Sequence, residues 1–112
     1  MCIRDSTCGM STYDALVPHY VDVHSWLICI PGLRSLMDFP EVVPRRSDLA
    51  FLVQYAEADP HFSLRGMRDA DALLDQSHHG HGTYRSSFWP GGHRFDEAMQ
   101  AEAWTFLTGC LQ

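Results

Sequence analysis

Leu49-Ala50-Phe51-Leu52-Val53-Gln54-Tyr55-Ala56-Glu57-Ala58-Asp59-Pro60 is the stretch that decides the fold. From Leu49 to Tyr55 it is nearly continuous in apolar residues. A strand with one wet face would alternate, so an unbroken run fits a strand covered on both faces, as in a parallel sheet. Pro60 has no N–H to donate and pushes Asp59 into extended or turn geometry, so the strand must give way to a loop there.

A helix follows that loop. Ser63 can cap it, and Leu64, Met67, Ala70, Leu73 and Leu74 recur at three- and four-residue steps. Arg65, Arg68, Asp69, Asp71 and Asp75 occupy the other face, and Gly80 and Gly82 predict an end near Gln76 to His78. Tyr84-Arg85-Ser86-Ser87-Phe88-Trp89 reads as a second strand, and Pro90-Gly91-Gly92-His93 as a tight turn. Asp96 can cap a last helix bearing Met99, Ala103, Trp104, Phe106, Leu107, Cys110 and Leu111, a broad apolar face for a sheet. Trp104 and Phe106 are expected to face the core or to pack. The order is strand, acidic loop, helix, strand, histidine loop, helix. That alternation predicts an α/β fold built from right-handed parallel βαβ units.

Upstream, the pattern is less regular. Pro18, Pro31, Pro40 and Pro44 interrupt residues 7 to 47, which predicts short helices and loops, with one helix around Tyr13 to Trp26. Cys8-Gly9-Met10 can be the tail of a preceding strand.

Composition limits the function. The 112 residues are 46% hydrophobic, which excludes a disordered tail. Eight basic residues, all arginine, stand against fourteen acidic ones for a net charge of −6, so no face can neutralise many phosphates and no nucleic-acid partner is expected. No apolar run is long enough to predict a membrane span. The cysteines Cys2, Cys8, Cys29 and Cys110 form no C-x-x-C pair and read as reduced, mostly buried thiols.

Met1-Cys2-Ile3-Arg4-Asp5-Ser6 lacks the apolar region of a signal peptide. It resembles the translation of a transposon adapter from shotgun sequencing libraries. On that reading residues 1–6 are an adapter-derived scar to be set aside in fold reasoning, and the native part enters near Thr7.

Asp59 and His93 are the candidate catalytic pair. Each follows a predicted strand, at the sheet edge where open α/β folds gather ligands and reacting groups. Adjacent parallel strands ~4.8 Å apart bring their terminal loops within hydrogen-bond reach. A carboxylate beside an imidazole fixes its tautomer and stabilises its protonated form, which a general base serving a nucleophile needs. Strand-acid-strand-histidine is the second half of the order Ser…Asp…His of α/β-hydrolases. Gly91 and Gly92 allow the turn that faces His93 to the acid. Glu57 and Asp71 are competing acids, but Glu57 comes two residues too early and Asp71 lies on the helix.

Asp59-Pro60-His61-Phe62 and Trp89-Pro90-Gly91-Gly92-His93-Arg94-Phe95-Asp96 resemble the acid and histidine loops of dienelactone-hydrolase-like and acetyl-xylan-esterase-like α/β-hydrolases. Val21-Asp22-Val23-His24-Ser25-Trp26, Ile30-Pro31-Gly32-Leu33 and Asp38-Phe39-Pro40-Glu41-Val42 resemble the segment that such proteins carry between their sixth and seventh strands. The resemblance covers residues 8 to 112. It implies a mostly parallel eight-stranded sheet, of which 7–112 is the C-terminal part with an incomplete sheet. It also implies ester hydrolysis through an acyl-enzyme, with Asp59 as triad acid and His93 as triad base.

The chain departs from that family in lacking G-x-S-x-G. Gly9-Met10-Ser11-Thr12-Tyr13 comes nearest but has no second glycine and little strand before it, so Ser11 is not expected to be the nucleophile. The nucleophile and oxyanion hole are expected upstream, and the fragment alone is expected to be inactive. The implied substrate is a small-molecule carboxylic ester, with no cofactor and no metal. A prolyl-oligopeptidase-type peptidase fragment and a noncatalytic small α/β interaction module remain alternatives; oligomeric state and compartment stay open.

His78-His79-Gly80-His81 offers histidines without a fixed ligand set and is expected to be a solvated loop. Trp26 is expected to pack; for His24, packing and pocket-lining both stay open. A fragment of this kind is expected to expose a strand edge and to be marginally stable.

Overall fold

A computed structural model of the chain describes residues 2–17, 19–24, 30–43 and 48–112. Its core is a three-stranded, all-parallel sheet of β1 (Cys2–Thr7), β2 (Leu49–Ala56) and β3 (Thr83–Trp89), in the order β1-β2-β3. Short helix α1 (Tyr13–Leu16), long helix α2 (Leu64–His78) and helix α3 (Glu97–Gly109) alternate with the strands, and among the described residues between β1 and β2 there are 3-10 turns at Val21–Val23, Leu33–Ser35 and Phe39–Val42. The chain is thus a small α/β fold.

Strand β2 is buried at every position, as its apolar run requires. Its side chains divide by parity. Phe51, Val53 and Tyr55 face α1 and α2, where they meet Tyr13, Leu16, Phe62, Met67, Ala70 and Leu74. Ala50 and Leu52 face α3 and meet Ala103 and Phe106. Each large apolar side chain enclosed this way contributes roughly 1.5–3 kcal/mol.

Helix α2 begins where expected. Ser63 is extended and its hydroxyl accepts from the Gly66 N–H, and the helix closes at His78. Helix α3 is capped by Asp96, whose carboxylate accepts from the Met99 N–H at 3.0 Å. Its buried stripe is narrower than its apolar content implied. Met99, Ala103 and Phe106 recur at four- and three-residue steps and are enclosed, whereas Trp104 lies one step round the helix and is 69% exposed. Trp104 therefore does not pack into the core.

The expected helix from Tyr13 to Trp26 is cut to four residues. Val17 leaves the helix with φ −95° and ψ 135° because Pro18 follows it, and a residue before proline disfavours helical geometry. Trp26 and Cys29 lie outside the described residues.

Residues 2 to 6, set aside in the sequence reading, are paired in β1 alongside β2, in a register running from Cys2 opposite Leu49 to Thr7 opposite Gln54. Cys8 extends the pairing by donating its N–H to the Gln54 carbonyl at 2.9 Å. Parallel pairing uses main-chain groups, which any extended segment supplies to an open strand edge. Ile3 adds an apolar side chain against the α3 face. No helix among the described residues is long and apolar enough to cross a membrane.

Candidate active site

The loops that leave β2 and β3 run side by side. The N–H of Glu57 donates to the Trp89 carbonyl and that of Ala58 to the Gly91 carbonyl, both at 2.9 Å. These two bonds continue the ladder past the strand ends and fix the acid loop against the histidine loop. Gly91 makes the turn possible with φ 97°, a conformation in which a side chain is strained. Gly92, by contrast, does not need to be glycine: its φ is not positive and an added Cβ would make ordinary contact, at 3.7 Å, with the Ala58 carbonyl.

Asp59 and His93 meet at this junction. His93 Nδ1 lies 2.7 Å from Asp59 Oδ2. The Asp59 side chain is fully enclosed, while that of His93 is 48% exposed. A carboxylate can only accept, so Nδ1 carries the proton and Nε2 of the neutral ring keeps its lone pair. The other carboxylate oxygen, Oδ1, accepts from the His61 N–H at 2.8 Å and from His61 Nδ1 at 3.2 Å. Both oxygens of this buried group are therefore satisfied, as burial of a carboxylate demands.

The competing acids are engaged elsewhere. Glu57 pairs with Arg68 at 3.3 Å on the surface, and Asp71 accepts from the Tyr84 hydroxyl at 2.7 Å. Burial, followed by the neighbouring Tyr55 and Asp71, pushes the Tyr84 hydroxyl well above the usual tyrosine range. Ser11 is 1% exposed and lies against Gly66 of α2, far from a nucleophile's open turn.

An open cleft of about 280 Å³ adjoins the pair, lined by Cys8, His24, His61, Phe62 and His93 among others. His24 is thus a cleft residue: its Nε2 lies 2.7 Å from the His61 carbonyl and its ring rests 4.4 Å from that of Phe62. The His61 ring stands edge-on to His93 with centroids 4.9 Å apart. Cys8 follows β1 directly, in left-handed geometry at φ 52°, and its thiol donates to the Arg94 carbonyl at 3.4 Å. Burial raises the Cys8 thiol above its ordinary range, and the nearby Asp59 carboxylate adds to the effect.

Sequence reasoning missed His61 and Cys8 at this site. His61 carried a signal in its spacing, because an Asx-type turn places the residue two after an aspartate over its carboxylate. Cys8 carried one only through the expectation that a strand ends beside it. His78 corrects the reading of the histidine loop. It is 3% exposed, with Nδ1 bonded to the Leu74 carbonyl at 2.9 Å and its ring stacked on Tyr84, whereas His79 and His81 are exposed.

Behind the site, Gln54, the one polar residue in the apolar run, is fully buried. It accepts from the Thr7 hydroxyl and donates to the Met99 carbonyl and to Glu102. Ser87 and the Trp89 indole N–H also donate to Glu102. This network fastens α3 to all three strands and so braces both ends of the histidine loop.

No family model, curated protein or solved structure matches the chain.

Proposed function

We propose that Asp59 and His93 are the acid and base of a Ser-His-Asp hydrolase acting on small carboxylic esters. In this reading residues 7–112 are the C-terminal part of an α/β-hydrolase, and sequence upstream supplies the nucleophile and the oxyanion hole. The observation that carries it is the 2.7 Å contact between a half-exposed imidazole and a fully enclosed carboxylate at the C-terminal edge of a parallel sheet. Two features add support: acid and histidine follow neighbouring strands in the order of the hydrolase triad, and the loop sequences resemble those of esterases.

The chemistry follows from the tautomer. Nε2 of His93 is the free nitrogen, and among the described residues nothing hydrogen-bonds to it. It would take the proton of an attacking serine as the ester carbonyl becomes tetrahedral, and then deliver it to the leaving alkoxide. Repeating the cycle with water would release the acid. Asp59 would hold the ring in register and stabilise its charged form throughout.

The test is to recover the upstream coding DNA and express the joined protein. A G-x-S-x-G on a strand is expected there, together with hydrolysis of p-nitrophenyl acetate that falls by about 10³-fold or more in His93→Ala. A near-normal rate in that variant would remove His93 from the mechanism. The isolated 112-residue chain is expected to turn over no faster than its Asp59→Asn, His93→Ala double variant.

A further inference from the structure

We infer that Cys8, Asp59 and His93 form a binding site for a thiophilic divalent cation of the zinc class, at the edge of the histidine-lined cleft. The inference does not rest on the hydrolase reading; it needs only the three donors and their positions.

One ligand atom from each residue lies within 4.8 Å of the other two, and among the described residues no other group of histidine, cysteine and acidic side chains brings three donors as close. Tetrahedral zinc, with Zn–S near 2.3 Å and Zn–N and Zn–O near 2.0–2.1 Å, sets its donors ~3.3–3.6 Å apart. The Cys8 sulfur lies within 4.8 Å of the other two donors, so a closing movement of at most about 1.3 Å brings it to that spacing. The Asp59–His93 contact at 2.7 Å is tighter than that. The ion would replace the proton shared between them and part the two groups by at least about 0.6 Å.

The donor set selects the metal. A thiolate with an imidazole favours zinc-class ions over magnesium and calcium, which prefer all-oxygen shells. The surroundings also suit a metal. The second oxygen of Asp59 is already held by the His61 N–H, the kind of outer contact that orients a ligating carboxylate. Cys8 and Asp59 are buried, and His93 opens onto the cleft, so solvent can complete the shell as a fourth ligand. Binding would release the Cys8 thiol proton to solvent and shift or release the Nδ1 proton of His93. The bound ion would occupy the place of the acid–base hydrogen bond, so metal and general-base chemistry at His93 exclude each other.

The experiment is titration of the metal-free 112-residue chain with Co²⁺ under reducing conditions, followed by displacement with Zn²⁺. A thiolate-to-cobalt charge-transfer band in the near ultraviolet is expected, saturating at one equivalent and bleached by zinc. Cys8→Ser should abolish the band, His93→Gln should weaken binding by about tenfold or more, and Cys110→Ser and His79→Gln should leave it intact. A second reading uses the unaltered chain: Zn²⁺ should slow iodoacetamide labelling of Cys8 and leave Cys110 unaffected, as mapped by mass spectrometry. The absence of a charge-transfer band, its survival in Cys8→Ser, its loss in Cys110→Ser or His79→Gln, or labelling of Cys8 indifferent to zinc would each overturn the site. Failure of ester hydrolysis in the joined protein would leave these results untouched, so the two readings fail separately.

Discussion

Gln54 Nε2 donates to the Glu102 carboxylate at 2.5 Å, joining the central strand to α3 through two polar side chains inside an apolar layer. Ser87 at 2.6 Å and the Trp89 indole at 3.2 Å donate to the same oxygen. Truncating Glu102 removes an acceptor shared by three donors; Gln54 keeps the Met99 carbonyl and the Trp89 indole keeps Ser87 Oγ, but the Ser87 hydroxyl loses its acceptor. Glu102→Ala is therefore expected to lose about 1–3 kcal/mol of stability, read as a lower midpoint in urea. Glu102→Gln keeps an acceptor and should lose less. A Glu102→Ala chain that unfolds at the wild-type midpoint would show that the carboxylate does not hold α3 to the sheet.

Gly91→Ala tests the histidine loop. With φ at 97°, an alanine is strained by roughly 1–2 kcal/mol, and its Cβ would also collide with the Arg94 guanidinium. The loop should relax by loosening the Ala58–Gly91 bond. Amide exchange at Ala58 is expected to speed up while that of Val53, deep in β2, stays slow. Unchanged exchange at Ala58 would mean that the turn tolerates a side chain.

Gly66→Ala tests the close approach of α2 to α1 and to Ser11 just before it. A Cβ at Gly66 would run into Ala15 Cβ and Ser11 Oγ. Overpacking of this kind typically costs about 1–3 kcal/mol, outweighing the better helix propensity of alanine. Gly109→Ala, where nothing lies within 4 Å of the added atom, is the control and should be neutral or mildly stabilising. Equal melting temperatures for the two variants would contradict the close contact.

Asp5 gives a pH-dependent test of β1. Burial lifts its carboxyl above the usual carboxylate range, and the nearby Glu102 adds to the effect. A group whose pKa is raised on folding favours the fold below its unfolded pKa, and that contribution is lost as pH rises through the folded value. At neutral pH Asp5 is therefore a liability. Asp5→Asn should melt higher than wild type at neutral pH, with the gap closing as pH falls through the carboxylate range. A constant or inverted gap would show that folding does not raise the Asp5 carboxyl.

The parts of the fold legible from residues were those governed by local rules. The apolar run Leu49–Tyr55, the caps Ser63 and Asp96, and the glycines after His78 each state a boundary, and the elements lie close to those bounds. Asp59 and His93 were legible as a pair because each follows a strand, and neighbouring strands deliver their ends to one edge. What was not legible depends on contacts distant in sequence. Trp104 looked like core, but only the angle at which α3 meets the sheet decides which side of the helix is covered. His78 looked like loop, yet Phe51 and Tyr84 from two strands enclose it. Cys8 and His61 reach the site through chain geometry that no single window of sequence displays.

The two bonds that join the acid loop to the histidine loop, Glu57 to Trp89 and Ala58 to Gly91, are both main-chain contacts. Thermal displacement of one loop therefore carries the other with it, and the Asp59–His93 separation is insulated from motions that would part side chains on independent loops. The same arrangement leaves Val23, an exposed residue lining the cleft, free to vary in size and polarity. The rim of the cleft can diverge to suit new ligands while the carboxylate–imidazole couple beneath it stays constant.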